Sequence, residues 1–205
     1  MFKKLLLASA LFLGATTASH ATVLFSDNFN TDPQGLNTTP NGWVIDFGSV
    51  DTIGTGFYEF YTGNGNYIDT NGSTGTDGGF HTAQTFNLMA GRTYTISFDY
   101  GNNQGLPDTS FSSLLFGFDI GNSIVFAQGL VPNLLHAVFS FTASQDSTEH
   151  LQFAALTSDP ALNGGIILDN VSLSVVPVPA ALPLFAAGLG VLGVAGRRRR
   201  NKTAA

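Results

Sequence analysis

From residue 22 to residue 175 the sequence predicts an all-β domain, an antiparallel β-sandwich of jelly-roll-like arrangement. Three observations predict it. Apolar and polar residues alternate in short runs, the pattern of strands with one face in a core. Clusters of Gly, Asn, Asp and Pro separate those runs at short intervals. No long segment between the clusters carries the 3.6-residue apolar repeat of an amphipathic helix.

The predicted strands follow in order. Residues 23–29, 43–47 and 57–61 come first, the last with aromatics on both faces in Phe57-Tyr58-Glu59-Phe60-Tyr61. A Gly63-Asn64-Gly65 turn leads to a strand over 66–69. Residues 71–79 are nearly all small and polar, with Asn71-Gly72 and Asp77-Gly78-Gly79, and read as an exposed loop before a strand over 82–88. After Ala90-Gly91, residues 93–100 alternate most cleanly. Tyr94, Ile96, Phe98 and Tyr100 share one face, and Thr93, Thr95, Ser97 and Asp99 share the other. Beyond Gly105-Leu106-Pro107-Asp108, strands are predicted over 114–120, 124–127, 136–141 and 150–156. Asn163-Gly164-Gly165 precedes the last, over 166–175. Alternation there puts Ile167, Val171, Leu173 and Val175 on one inward face, with Asp169 among them. An unpaired buried carboxylate is costly, so Asp169 calls for a cation or several hydrogen-bond donors.

Both ends read as targeting segments. Residues 1–21 have the parts of a secretory signal helix: Lys3 and Lys4, an apolar stretch over 5–15, and the small-residue site Ser19-His20-Ala21. Cleavage after Ala21 makes Thr22 the mature N-terminus. Residues 176–205 form a second such segment. Val176-Pro177-Val178-Pro179 is an extended hinge. Residues 180–196 are uncharged and just long enough, against roughly 17–25 residues, for a transmembrane helix. Arg197, Arg198, Arg199 and Arg200 open the basic end, residues 197–205, and hold that side in the cytoplasm, so the domain faces outward.

Setting the ends aside changes the charge. Of the eight Lys and Arg residues only Arg92 lies in the domain, whereas all 14 Asp and Glu lie there. One base against 14 acids is a formal −13, where the whole chain carries −6. Such a domain repels nucleic acid and attracts divalent cations. Cysteine is absent, which removes disulfides, thiolate metal sites and cysteine nucleophiles together.

Catalytic templates find little support. The only two glutamates, Glu59 and Glu149, have no sequence feature that brings them together as a glycosidase pair. His81, His136 and His150 share no metal-ligand spacing. There is no Gly-x-Ser-x-Gly elbow and no phosphate loop ending in Lys. The domain is therefore read as non-catalytic. Binding fits better: Tyr58 and Tyr67 are the expected exposed aromatic pair for a ligand, while Trp43 and the Phe side chains are expected in the core.

Two resemblances add to this. Residues 176–200 resemble the PEP-CTERM sorting tail of exopolysaccharide-producing Gram-negative bacteria, with hinge, span and arginine cluster in order and Val178 where the usual motif has Glu. The resemblance implies export, a transient inner-membrane intermediate, and processing by an exosortase before release to the cell surface or extracellular matrix. Ile167-Leu168-Asp169-Asn170-Val171-Ser172-Leu173 resembles the closing strand of galactose-binding-like carbohydrate-binding modules, and residues 25–30 loosely resemble their opening strand. That resemblance implies a glycan partner and a structural Ca2+ held by Asp169, with Asn30 in place of the family's glutamate and Asp27 in support. The expected protein is an exported, glycan-binding or structural surface protein. The alternatives are a polysaccharide lyase or hydrolase on a jelly-roll scaffold and a protein-binding adhesin.

Overall fold

A computed structural model describes residues 21–74, 76–103, 111–118, 122–127, 132–157 and 165–176. The signal helix, the hinge beyond Val176, the membrane span and the basic end lie outside the described residues. Sixteen strands occur in chain order among the described residues. They are β1 (Thr22–Asp27), β2 (Gly35–Thr38), β3 (Trp43–Phe47), β4 (Val50–Gly54), β5 (Asn66–Asp69), β6 (Asn71–Gly72), β7 (Thr76–Asp77) and β8 (Gly79–Thr82). The second half holds β9 (Phe86–Leu88), β10 (Thr93–Asn102), β11 (Phe111–Gly117), β12 (Asn122–Ala127), β13 (Leu135–Thr142), β14 (Ser147–Glu149), β15 (Gln152–Thr157) and β16 (Ile166–Val175). All pairings are antiparallel, and no helix occurs among the described residues.

The larger sheet has seven strands in the order β13-β10-β16-β5-β4-β2, with β1 also on β16. β10 runs along one side of β16, while β5 and β1 share its other side. The smaller sheet runs β12-β11-β15-β8-β3. Ribbons β9–β14 and β6–β7 complete the unit. The core lies between the sheets. Tyr94, Ile96, Phe98, Val171 and Leu173 come from one, Trp43, Phe80, Leu114, Phe116 and Phe153 from the other. Aromatic rings knit it: Phe98 meets Phe116 edge-on at 4.9 Å and Phe153 at 5.5 Å, and Trp43 meets Phe80 at 5.1 Å. The alternation of 93–100 therefore describes β10 correctly, its even residues facing this core.

A second apolar cluster, Ile53, Tyr61, Tyr67 and Ile167, lies on the other face of the larger sheet. The chain between β4 and β5 covers it. Residues 57–61 are thus not the expected strand: apart from a bridge between Gly54 and Phe57, they form bends and irregular chain. Aromatics on both sides fit a covering segment that reaches the sheet below and solvent above. The 71–79 stretch also differs from expectation. Asn71, Gly72, Gly78 and Gly79 are buried, and β6 and β7 form a small ribbon. Small side chains allow this close packing; Gly78 lies against the Ser49 and Thr70 carbonyls, and Gly72 against Ser49. The predicted strand over 82–88 is divided between β8 and β9.

Two β-bulges reset which side chains face inward. On β16, Asp169 stands opposite Asp99 and Ser172 opposite Ser97, so Asn170 and Val171 together oppose Phe98. Asn170 takes a left-handed φ of 49°. Before the bulge Ile166 and Leu168 face the main core; after it Val171 and Leu173 do. Asp169 keeps company with Ile167 on the opposite face, not with Val171, Leu173 and Val175 as simple alternation requires. On β3 a second bulge falls between Ile45, opposite Phe80, and Phe47, opposite Gly79.

Candidate functional site

The expected aromatic pair is split. Tyr58 is 57% exposed, with its ring edge-on to Phe57 at 4.9 Å. Tyr67, in contrast to its expected exposure, is fully buried. Its neighbour Ile68 faces the main core, so Tyr67 points to the second cluster, beneath the covering segment. Its hydroxyl accepts the Phe60 and Tyr61 amides at 2.5 and 3.1 Å and donates to the Tyr58 carbonyl at 3.4 Å. Burial raises its ionisation above the usual phenol range.

The expected calcium ligands do not assemble as a trio. Asp27 accepts the Phe29 amide at 2.9 Å and the Trp43 indole at 2.7 Å. Asn30 is turned to the next segment, its Oδ1 accepting the Asn66 amide at 2.7 Å. Asp169 is 1% exposed and accepts the Asn170 amide at 2.7 Å. Burial pushes its carboxyl up to about 7, and the charges of Asp99 and Asp27 push the same way. Among the described residues no group of three or more His, Asp or Glu is arranged for a metal ion. With Asn30 elsewhere and Asp27 bonded to Trp43, these three residues do not fit a calcium site.

Other carboxylates are structural. Asp69 is buried against Asp51 and accepts bonds from the Asn71 and Gly165 amides and the Asn103 side chain at 3.1, 2.8 and 2.6 Å. Burial still raises it to about 7. Glu59 is exposed in the covering segment, and Glu149 lies opposite Phe86 on the β9–β14 ribbon. Val176 donates its amide to the Thr93 carbonyl at 2.8 Å, while the other hinge residues and Arg197 to Arg200 lie outside the described residues.

A different surface gathers binding groups: the outer face of the smaller sheet. The β3 bulge aims Phe47 outward, where strict alternation would bury it with Trp43 and Ile45. The ring is 49% exposed and rests directly on Gly79, where a Cβ would lie only 2.1 Å from a ring carbon. Polar groups flank it. His81, opposite Val44 on β3 and Gln152 on β15, meets Asp46 Oδ1 through Nδ1 at 2.8 Å. His150 lies against His81, ring centroids 4.5 Å apart. Val44 and Leu156 are also exposed. The result is a fixed aromatic plate beside a carboxylate, two imidazoles and an amide. The sequence held one clue, Gly79, the small residue the plate requires; the bulge left no other.

No protein-family model and no curated protein matches the chain, so the tail resemblance stands on residues 176–200 alone. Solved structures similar in shape include a xylan-binding CBM22 domain of Paenibacillus barcinonensis Xyn10C, with 16% identity over 79% of this chain and 99% of that chain and a TM-score of 0.47. A CBM35 from the same organism has 16% identity over 73% and 97%, with a TM-score of 0.41. A CBM6 module of Cellvibrio mixtus lichenase 5A, solved with cellotriose, has 15% identity over 75% and 98%, with a TM-score of 0.38. An arabinose-bound α-L-arabinofuranosidase matches at 13% identity and a TM-score of 0.49, over 79% of this chain but 27% of its own. These neighbours include carbohydrate-binding modules and parts of larger enzymes, and at these overlaps function has to be argued from the site itself.

Proposed function

We propose that the domain is a non-catalytic glycan-binding module whose sugar site is the outer face of the smaller sheet. The half-exposed Phe47 ring seated on Gly79 carries the reading. An exposed, immobilised ring suits the apolar face of a pyranose, and Asp46, His81 and Gln152 at its side suit ring hydroxyls. A formal charge of −13 disfavours polyanionic chains, so neutral or amino-bearing glycans are the favoured class. A glycan array followed by calorimetry tests this. Phe47→Ala is expected to weaken binding at least about tenfold, roughly 1.4 kcal/mol, without unfolding the sandwich. Tyr58→Ala is expected to leave affinity unchanged; the reverse pattern moves the site to the covering segment and sinks this one.

The proposal extends to delivery. Residues 1–21 export the chain, and residues 176–205 hold it in the inner membrane until an exosortase acts at Val176-Pro177-Val178-Pro179 and releases it to the cell surface or matrix. The uncharged span and its one-sided arginines support this. Mass spectrometry of protein from the native host should find Thr22 first and no span. An intact span on mature surface protein would count against processing.

A further inference from the structure

Two histidines on the outer face of the smaller sheet are each locked in one tautomer. His81 Nδ1 lies 2.8 Å from Asp46 Oδ1, and His150 Nδ1 lies 2.6 Å from the Thr82 carbonyl oxygen. A carboxylate and a carbonyl can only accept, so each Nδ1 carries the hydrogen, and each neutral ring keeps its lone pair on Nε2. Neither Nε2 has a hydrogen-bond partner among the described residues. The ring centroids are 4.5 Å apart, with an interplanar angle of 60°.

We propose that His81 and His150 form a two-nitrogen site for a divalent late first-row transition ion such as Zn2+, with water in the remaining positions. Three points converge. First, an Nδ1–H given to a carboxylate or a backbone carbonyl is the arrangement that orients a histidine for metal through Nε2. Both rings have it. Second, an imidazole bound at about 2.0–2.1 Å has its centroid roughly 3 Å from the metal, so two rings in adjacent coordination positions sit about 4–5 Å apart. The observed spacing fits. Third, the rings stand on a rigid frame: His81 is within β8, and His150 precedes the Leu151 amide, which donates to Thr82 Oγ1 at 3.1 Å. Imidazole selects zinc, copper or nickel over calcium, which prefers six to eight oxygens. The pair has no metal-ligand spacing in the sequence because 69 positions separate its members and only the pairing of β8 with β15 brings them together.

The site requires no sugar, so it stands or falls apart from the glycan reading. The test is calorimetric titration of the full chain with ZnCl2, without glycan. One zinc per chain is expected at this site. His81→Asn and His150→Asn should each weaken that binding at least about tenfold, and Asp46→Ala, which removes the acceptor that orients the His81 ring, should weaken it about tenfold. His136→Asn should leave it unchanged. Electron paramagnetic resonance of the Cu2+-loaded wild type reads the ligands without any mutation and should show coupling to two imidazole nitrogens. Zinc binding that survives both His81→Asn and His150→Asn overturns the site, as does a copper spectrum without imidazole coupling.

Discussion

Stability should fall as pH rises from about 4 to about 7, and replacing Asp169 by Asn should remove part of that fall. Asp69 and Asp169 are both raised by burial from an ordinary 3.8 to about 7. Asp32 is raised as well, by burial first and by the charge of Asp27 in addition, and its Oδ2 has no partner among the described residues. In the unfolded chain these groups release their protons near pH 4; in the fold they hold them to higher pH. Folding therefore takes up protons between the two values. The stabilisation is complete below about pH 4 and is lost as pH rises through about 7. For Asp169 the rise from 3.8 to about 7, discounted for solvent screening, is on the order of 2–4 kcal/mol. Asp169→Asn mimics the protonated form and keeps an oxygen for the Asn170 amide. Its melting temperature should equal that of wild type near pH 4 and exceed it near pH 8 by about 4–16 °C, at roughly 2–4 °C per kcal/mol for a domain of this size. In protein free of zinc and other transition metals, a chelator should change neither. Lower stability of Asp169→Asn at pH 8, with a wild-type loss on chelation, would instead restore the calcium site.

The alternation that predicts the all-β fold is a local signal, and where strands are regular it reads correctly: the even residues of 93–100 do face the core. It fails where the backbone inserts a residue. The extra position at Asn170 turns Asp169 away from the main core, and the extra position at Asp46 turns Phe47 out of it. Neither bulge has a Gly or Pro to announce it, since Asn170 adopts its left-handed conformation and anchors it with a 2.8 Å bond to Asp99. Strands β2 and β4 are among those that carry no such alternation. Both lie toward one edge of the larger sheet, and β4 is buried on both faces, so its Asp51-Thr52 pair lacks the apolar alternation being sought. The candidate site was less legible than the fold because its parts come from three strands. Asp46 and Phe47, His81, and His150 with Gln152 become neighbours only through the order β3-β8-β15.

Tyr67→Phe should cost about 3 kcal/mol, a large loss for the removal of one oxygen. The hydroxyl is the acceptor for two backbone amides, Phe60 at 2.5 Å and Tyr61 at 3.1 Å. Each amide left buried without an acceptor costs about 1–3 kcal/mol. The ring itself remains, so no cavity term intervenes. If the covering segment stays docked, the loss appears in global unfolding as a fall of roughly 6–12 °C in melting temperature. If the segment opens instead, the amides return to water and the global loss is smaller. Hydrogen exchange at the Tyr61 amide then accelerates, and proteolysis between Gly54 and Gly65 becomes the faster event. A variant with unchanged melting and unchanged exchange would show that the hydroxyl is not what holds the segment. Glycan affinity supplies the control, because Phe47 belongs to the other sheet. A segment loosened over Ile53 and Ile167 should leave that affinity intact. If affinity falls in step with docking, the sugar contacts the covering segment, and Tyr58 regains the role that its exposure first suggested.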